Sequence, residues 1–298
     1  MLRRKNDWSA YLFIAPAMLV LALFLFYPML WTLIASFQDV RPLRMRTAGF
    51  FDPVGDWVGA RNYVAVLRDG LVRLSAANTL RFALFFVPST LFGSVVLAVL
   101  FDKSSKGIAF ARSVFFLPYV ISVVSAGLIF MSLFDARSGL ANALLARLGA
   151  KGPNWLSDPA TAMPVIALMS FWRRVGYFML IYLAGLQNIP RDLYEAAALD
   201  GLGPIQSFRY ITWPLLRKIT AVVFILLVIA CLNVFQEVFV MTGGGPGNST
   251  VTVPFLIYNM AFEYSRIGHA AAVSYVLFLA VVAISASQTA LSRRKTDW

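Results

Sequence analysis

The chain has 298 residues, of which 59% are apolar and only 13% charged, with a formal net charge of +12. An ordinary soluble domain holds about a quarter charged residues, so this apolar excess needs a bilayer as its solvent, and loop charges beside lipid headgroups account for the positive balance. No loop carries the basic patch with interleaved aromatics that nucleic-acid binding needs, and the single Cys231 and single His269 exclude an intrachain disulfide, a thiolate metal cluster and a bis-histidine haem.

A membrane-crossing helix takes roughly 20 mostly apolar residues. Six such runs are predicted, over 11–37, 79–101, 113–134, 162–186, 219–240 and 269–291, which makes the chain an all-α integral membrane protein. Pro16, Pro28, Pro88, Pro118 and Pro164 fall within or near these runs, as membrane helices tolerate when neighbours satisfy the freed carbonyls. The first run follows Arg3-Arg4-Lys5 in the manner of a signal peptide. It is about twice as long as a secretory apolar region and lacks a convincing cleavage site, so an uncleaved first span is expected. The loop after it is arginine-rich and carries a turn signal at Asp52-Pro53-Val54-Gly55. Lys103, Lys106 and Arg112 follow the second span, and five of the six lysines lie on the side of the N-terminus. That bias predicts both termini to be cytoplasmic.

The fourth span holds two adjacent arginines, Arg173 and Arg174, near mid-depth. Neighbouring helical residues point about 100° apart, so one can line a water-filled pathway while the other pairs elsewhere, with Glu237 if the spans are suitably staggered. Structural pairing between subunits and recognition of an anionic solute group are both open here.

The inner loop 187–218 is the most informative stretch. Pro190 can open a helix, the run Arg191 to Asp200 contains good helix formers including three alanines, and Gly201 and Gly203 then stop it. Pro204 opens a second short segment that leads through Trp213-Pro214 into the fifth span. Asp192, Glu195 and Leu199 share one face of the first helix. An amphipathic helix lying on lipid would favour Lys and Arg, whereas this one offers three acids, Asp192, Glu195 and Asp200, beside small residues that admit a close neighbour. A docking surface for a water-soluble partner is the preferred reading.

In the fifth span Asn233, Gln236 and Glu237 are spaced to share one face, with Phe235 and Phe239 beside them. They serve either as interhelical hydrogen-bonding groups or as a wall of a solute cavity. The segment Thr242-Gly243-Gly244-Gly245-Pro246-Gly247 is turn-rich but lacks the Gly-Lys-Ser/Thr of a phosphate loop, as does the whole chain. Any nucleotide energy must therefore come from another polypeptide. Ser274 and Tyr275 are the weaker polar candidates in the last span, and no span holds the paired carboxylates or histidine cluster of a membrane-embedded enzyme.

The inner loop resembles the EAA loop of binding-protein-dependent ABC transporter permeases: Glu195-Ala196-Ala197, then Gly201, then Ile211 and Pro214, with Trp213 standing where leucine is usual. Similarity to the carbohydrate-importer branch, in its maltose-permease-F-like half, extends along nearly the whole chain. It runs through Leu12-Phe13-Ile14-Ala15-Pro16, Asn62-Tyr63, Asn78-Thr79-Leu80, Phe116-Leu117-Pro118, Leu183-Ala184-Gly185-Leu186-Gln187-Asn188-Ile189-Pro190 and Met241-Thr242-Gly243-Gly244-Gly245-Pro246.

The resemblance implies a type I ABC importer permease fold, formed as a single transmembrane domain over 1–298, with six transmembrane helices, both termini cytoplasmic and a cytoplasmic coupling helix. It implies a transport subunit, not an enzyme, in the bacterial plasma (inner) membrane. The implied partners are a second homologous permease, two ATPase subunits that bind ATP and Mg, and an extracytoplasmic solute-binding protein, with no cofactor in this chain. Glu195, Ala196, Ala197, Asp200, Gly201, Ile211 and Pro214 would couple to the ATPase, Glu195 meeting a basic group there. Asn233, Gln236, Glu237, Arg173, Arg174, Ser274 and Tyr275 would line the path of a sugar or sugar derivative, whose hydroxyls suit carboxylates and amides beside aromatic faces, and whose charge, if anionic, would suit the arginines. The alternative is a secondary transporter or channel acting alone, which leaves the inner loop unexplained.

Overall fold

A computed structural model describes residues 8–40, 55–103 and 105–294. Arg3, Arg4, Lys5, Arg41, Arg44, Arg46 and Lys295, and most of the predicted turn at Asp52-Pro53-Val54, lie outside the described residues. Among the described residues five helices are long and apolar enough to cross a membrane, or six if one bent pair is a single span. The chain divides into two compact units: one of residues 1–72 and 257–278, the other of residues 73–256 and 279–298.

The first unit opens with α1 (Trp8–Leu21), a π turn (Ala22–Phe26) and α2 (Tyr27–Ser36). The π turn closes on a Tyr27 N–H to Ala22 O bond, immediately before Pro28. Proline has no N–H to donate and its ring crowds the carbonyl four residues back; widening the turn by one residue relieves that clash. Strands β1 (Gln38–Val40) and β2 (Gly55–Trp57) form a small antiparallel ribbon with Asp39 opposite Asp56. Helix α3 (Arg61–Arg68) follows. The Asn62-Tyr63 pair noted in the sequence locks the end of α2. Buried Asn62 donates both amide hydrogens, to Ser36 O and Gln38 O at 2.9 Å each, and Tyr63 Oη meets Ser36 Oγ at 2.7 Å.

The second unit is built around its fifth helix. The first five are α4 (Gly70–Leu100), α5 (Lys106–Val120), α6 (Val123–Leu133), α7 (Leu140–Arg147) and α8 (Ala162–Leu186). There follow α9 (Arg191–Leu199), α10 (Pro204–Ser207), α11 (Trp213–Leu232), α12 (Gln236–Met241), α13 (Val253–Tyr258) and α14 (Ile267–Arg294), the last reaching from the first unit into the second. Helix α8 is the spine: Met163, Ile166, Met169, Met179 and Tyr182 are fully buried along it, and α5, α11 and α12 pack on it. Gly176 lets α5 lie backbone to backbone, since a Cβ there would stand 1.9 Å from Phe115 O. Small residues are the usual means of such close approach in a bilayer, where apolar side chains gain nothing over lipid.

Two predicted spans are not continuous helices. The run 113–134 is broken between α5 and α6 by a 99° bend: Ile121 and Ser122 are extended, and the Ser122 carbonyl opens the new helix by accepting from Ala126 N–H. Pro118 already removes a helical donor one turn earlier. The run 219–240 ends its long helix at Leu232 and resumes as α12 after Asn233, Val234 and Phe235. Both stretches are apolar, but hydropathy carries no information about where backbone direction changes.

The Asn78-Thr79 pair and the glycine loop explain one another. Asn78 Nδ2 donates to Asn248 O (2.8 Å) and Val251 O (3.0 Å), and Thr79 Oγ1 accepts from Val253 N at 3.1 Å. Thr250 Oγ1 closes the loop on Thr242 Oγ1 and Gly245 O. This loop is a stapled corner, held by these bonds although the buried Ser249 Oγ has no hydrogen-bond partner.

Candidate functional site

Two groups of residues stand apart from ordinary packing. One is the elbow between α8 and α11. A short turn over Gln187, Asn188 and Ile189 leaves α8, and after Pro190 α9 begins at Arg191. At its far end Gly201 adopts φ +80°, its N–H bonded to Ala198 O and the Leu202 N–H to Ala197 O at 2.9 Å. This is the paired-bond terminus that needs a left-handed residue, and glycine takes that conformation without steric cost. Pro204 begins α10, and the side chain of Gln206 accepts from the Gly203 N–H. A second π turn, Phe208–Thr212, closes on Trp213 N–H to Phe208 O just ahead of Pro214, repeating the arrangement before Pro28.

The two arms of the elbow are tied together by one side-chain bond, Tyr194 Oη to Thr212 Oγ1 at 2.8 Å. Ala197 is buried inside the elbow, while Glu195, Ala196, Ala198 and Asp200 are exposed. Leu199 and Ile205 are 89% and 83% exposed, so each arm presents a bare apolar side chain. Among the described residues Asp192, Glu195 and Asp200 make no ion pair. Ile211 and Pro214 are half-buried at the junction with α11. A cavity of about 750 Å³ lies against the inner side of the elbow, lined by Asp102, Arg112, Gln187, Arg191, Tyr194 and Phe208 among others. Arg112 is held there by the carbonyls of Phe101 and Lys103.

The second group lies halfway along α8. Arg174 Nη2 is 2.9 Å from Glu237 Oε1, with the carboxylate side chain 3% exposed and the arginine 16%. Its guanidinium also sits 5.5 Å from the centre of the Phe86 ring. Arg173 turns the other way, 5.9 Å from the centre of the Tyr119 ring, and Tyr119 is stacked on Tyr177 at 4.5 Å with the planes 12° apart. The buried atoms Arg173 Nε and Arg174 Nη1 have no hydrogen-bond partner.

The expected shared face of Asn233, Gln236 and Glu237 is not formed. The break at 233–235 separates them: Asn233 is exposed and donates to Ile229 O, Gln236 is exposed, and Glu237 alone is buried, on Arg174. Ser274 and Tyr275 belong to the other unit, where their hydroxyls are used on Ala270 O and Met29 O. Sequence reasoning did not single out Tyr119, Tyr177 or Tyr194. Each is an aromatic among many, and only its placement distinguishes it.

The comparisons with known proteins agree among themselves. Residues 89–297 match the family model of the binding-protein-dependent transport system inner membrane component. The probable ABC transporter permease protein YurN of Bacillus subtilis (strain 168) is 35% identical over 95% of this chain and 96% of its own length. The lactose transport system permease protein LacF of Rhizobium radiobacter is 33% identical over 99% and 97%. The fold is that of a chain in the crystal structure of a bacterial alginate ABC transporter in complex with alginate pentasaccharide-bound periplasmic protein. The TM-score is 0.82 at 20% identity, over 98% of this chain and 96% of that one.

Proposed function

We propose, from the premise that this chain belongs to the binding-protein-dependent transport system inner membrane component family, that it is the permease subunit of an ATP-binding-cassette importer for a sugar or sugar derivative. The observation that carries the reading is end-to-end similarity to LacF, a permease named for lactose transport, at 33% identity over 99% of this chain. It is a multi-pass inner-membrane protein and a transport component, not an enzyme.

The finer parts of the reading rest on chemistry. A second homologous permease would complete the pathway, and an extracytoplasmic binding protein would deliver the solute. Two ATPase subunits, holding ATP and Mg, would dock on the elbow, with both termini and the loop 187–218 on the cytoplasmic side of a single transmembrane domain. Glu195, Ala196, Ala197, Asp200, Gly201, Ile211 and Pro214 are the proposed coupling residues. What supports this is a surface that is small, acidic and rigid: an exposed carboxylate without an internal partner, alanines that admit a close neighbour, and bare Leu199 and Ile205. A push on α9 reaches α11 through the Tyr194–Thr212 bond and the continuous π turn, and a two-state switch of the spans needs such a stiff joint.

Glu195→Lys is expected to abolish uptake, with ATP hydrolysis either released from transport or absent because the complex does not form. The check is solute uptake beside ATPase activity and co-purification of the subunits. Uptake at the wild-type rate would refute the docking assignment.

A further inference from the structure

Glu237 is the one carboxylate within the predicted spans, against two adjacent arginines in the fourth, Arg173 and Arg174. Arg174 takes it at 2.9 Å. One positive charge therefore remains uncompensated near the middle of a 25-residue membrane helix, roughly 15–20 Å from either end at 1.5 Å per residue. An ionised group at that depth persists only with a counter-charge or with water. Among the described residues Arg173 makes no hydrogen bond to a carboxylate or any other acceptor, and its Nε is buried and unbonded.

Its surroundings suit a particular ligand. Tyr119 and Tyr177 stack into a flat aromatic platform beside the guanidinium, and Tyr119 is 36% exposed. Arg173 itself is only partly buried. A planar fork of N–H donors binds carboxylate, sulfonate or phosphate oxygens, and the aromatic face offers apolar contact to a sugar ring. Arg174 is not the equivalent of its neighbour, because Glu237 neutralises it and Phe86 covers it.

We propose that Arg173, with the Tyr119–Tyr177 platform, is the anion-binding subsite of the transport path and that the solute is a sugar bearing an anionic group. The proposal rests on the reading of the chain as a sugar permease, and it separates the two arginines: Arg173 meets the solute, and Arg174 with Glu237 is structural.

The test uses the complete transporter with its own partner subunits and binding protein in proteoliposomes. The probes are a neutral glucoside and the matching glucuronide, 6-phosphate and 6-sulfonate. Wild type is expected to carry one of the three anionic probes at least tenfold faster than the neutral one. Arg173→Gln should lower the ratio of anionic to neutral uptake tenfold or more, and Arg173→Lys, which keeps the charge without the fork, should fall between. Preference of wild type for the neutral glucoside, or an unchanged ratio in Arg173→Gln, overturns the proposal. So does loss of the second permease on co-purification of Arg173→Gln, which would make Arg173 an intersubunit pairing group. Failure of the wild-type complex to move any sugar overturns the parent reading itself.

Discussion

Arg174 and Glu237 show how a single pair organises a membrane core. Each is affordable at this depth only because of the other. Removing one partner leaves a buried charge, so Glu237→Gln is expected to destabilise the protein by about 3–5 kcal/mol, read as a fall in the thermal unfolding midpoint in detergent. The double replacement Arg174→Met with Glu237→Leu should cost less than the single, since no unpaired charge remains. An equal or larger loss in the double variant would show that the pair contributes through something other than charge compensation. The candidate pair could be listed from sequence by residue type alone, whereas its formation depended on a helix break no periodicity reveals. The neutral positions are parted for the same reason: Asn233 and Gln236 lie on either side of that break and do not share the one helical face their spacing predicts.

At the scale of elements, the long helices were legible because a bilayer demands unbroken apolar length, and the elbow was legible because proline and glycine punctuate it at each end. The interruptions were not. Proline occurs inside intact helices here, at Pro16 and Pro88, and beside π turns, at Pro28 and Pro214, so the residue alone does not say which outcome follows. The elbow makes a sharper demand at Gly201. Gly201→Ala places a Cβ on a left-handed residue with open space around it, so the cost is conformational, about 1–2 kcal/mol. The expected phenotype is reduced coupling, fewer solute molecules moved per ATP, with assembly retained. A variant with unchanged stoichiometry would mean that the turn is not under mechanical constraint.

For the whole molecule, similarity to ABC transporter permease subunits makes this chain a transport component, and the proposed docking elbow predicts that it needs its partners. Vesicles reconstituted with it alone are expected to show no solute flux above empty vesicles, and flux should appear only when the permease, ATPase and binding-protein partners and ATP are supplied. Nucleotide-independent flux through the lone chain would restore the single-component alternative. Similarity along nearly the entire length, not any one motif, is what fixes the family.

The wide turn at Phe208–Thr212 sets a phase as well as easing a proline. One surplus residue there rotates everything downstream by about 100° about the helix axis. The buried stripe of Leu216, Val223 and Leu227 keeps its azimuth toward the spine only because that residue is present. A chain shortened by one position in this turn would keep every side chain of the fifth helix and aim all of them wrongly, so loop length here is specified as tightly as loop chemistry.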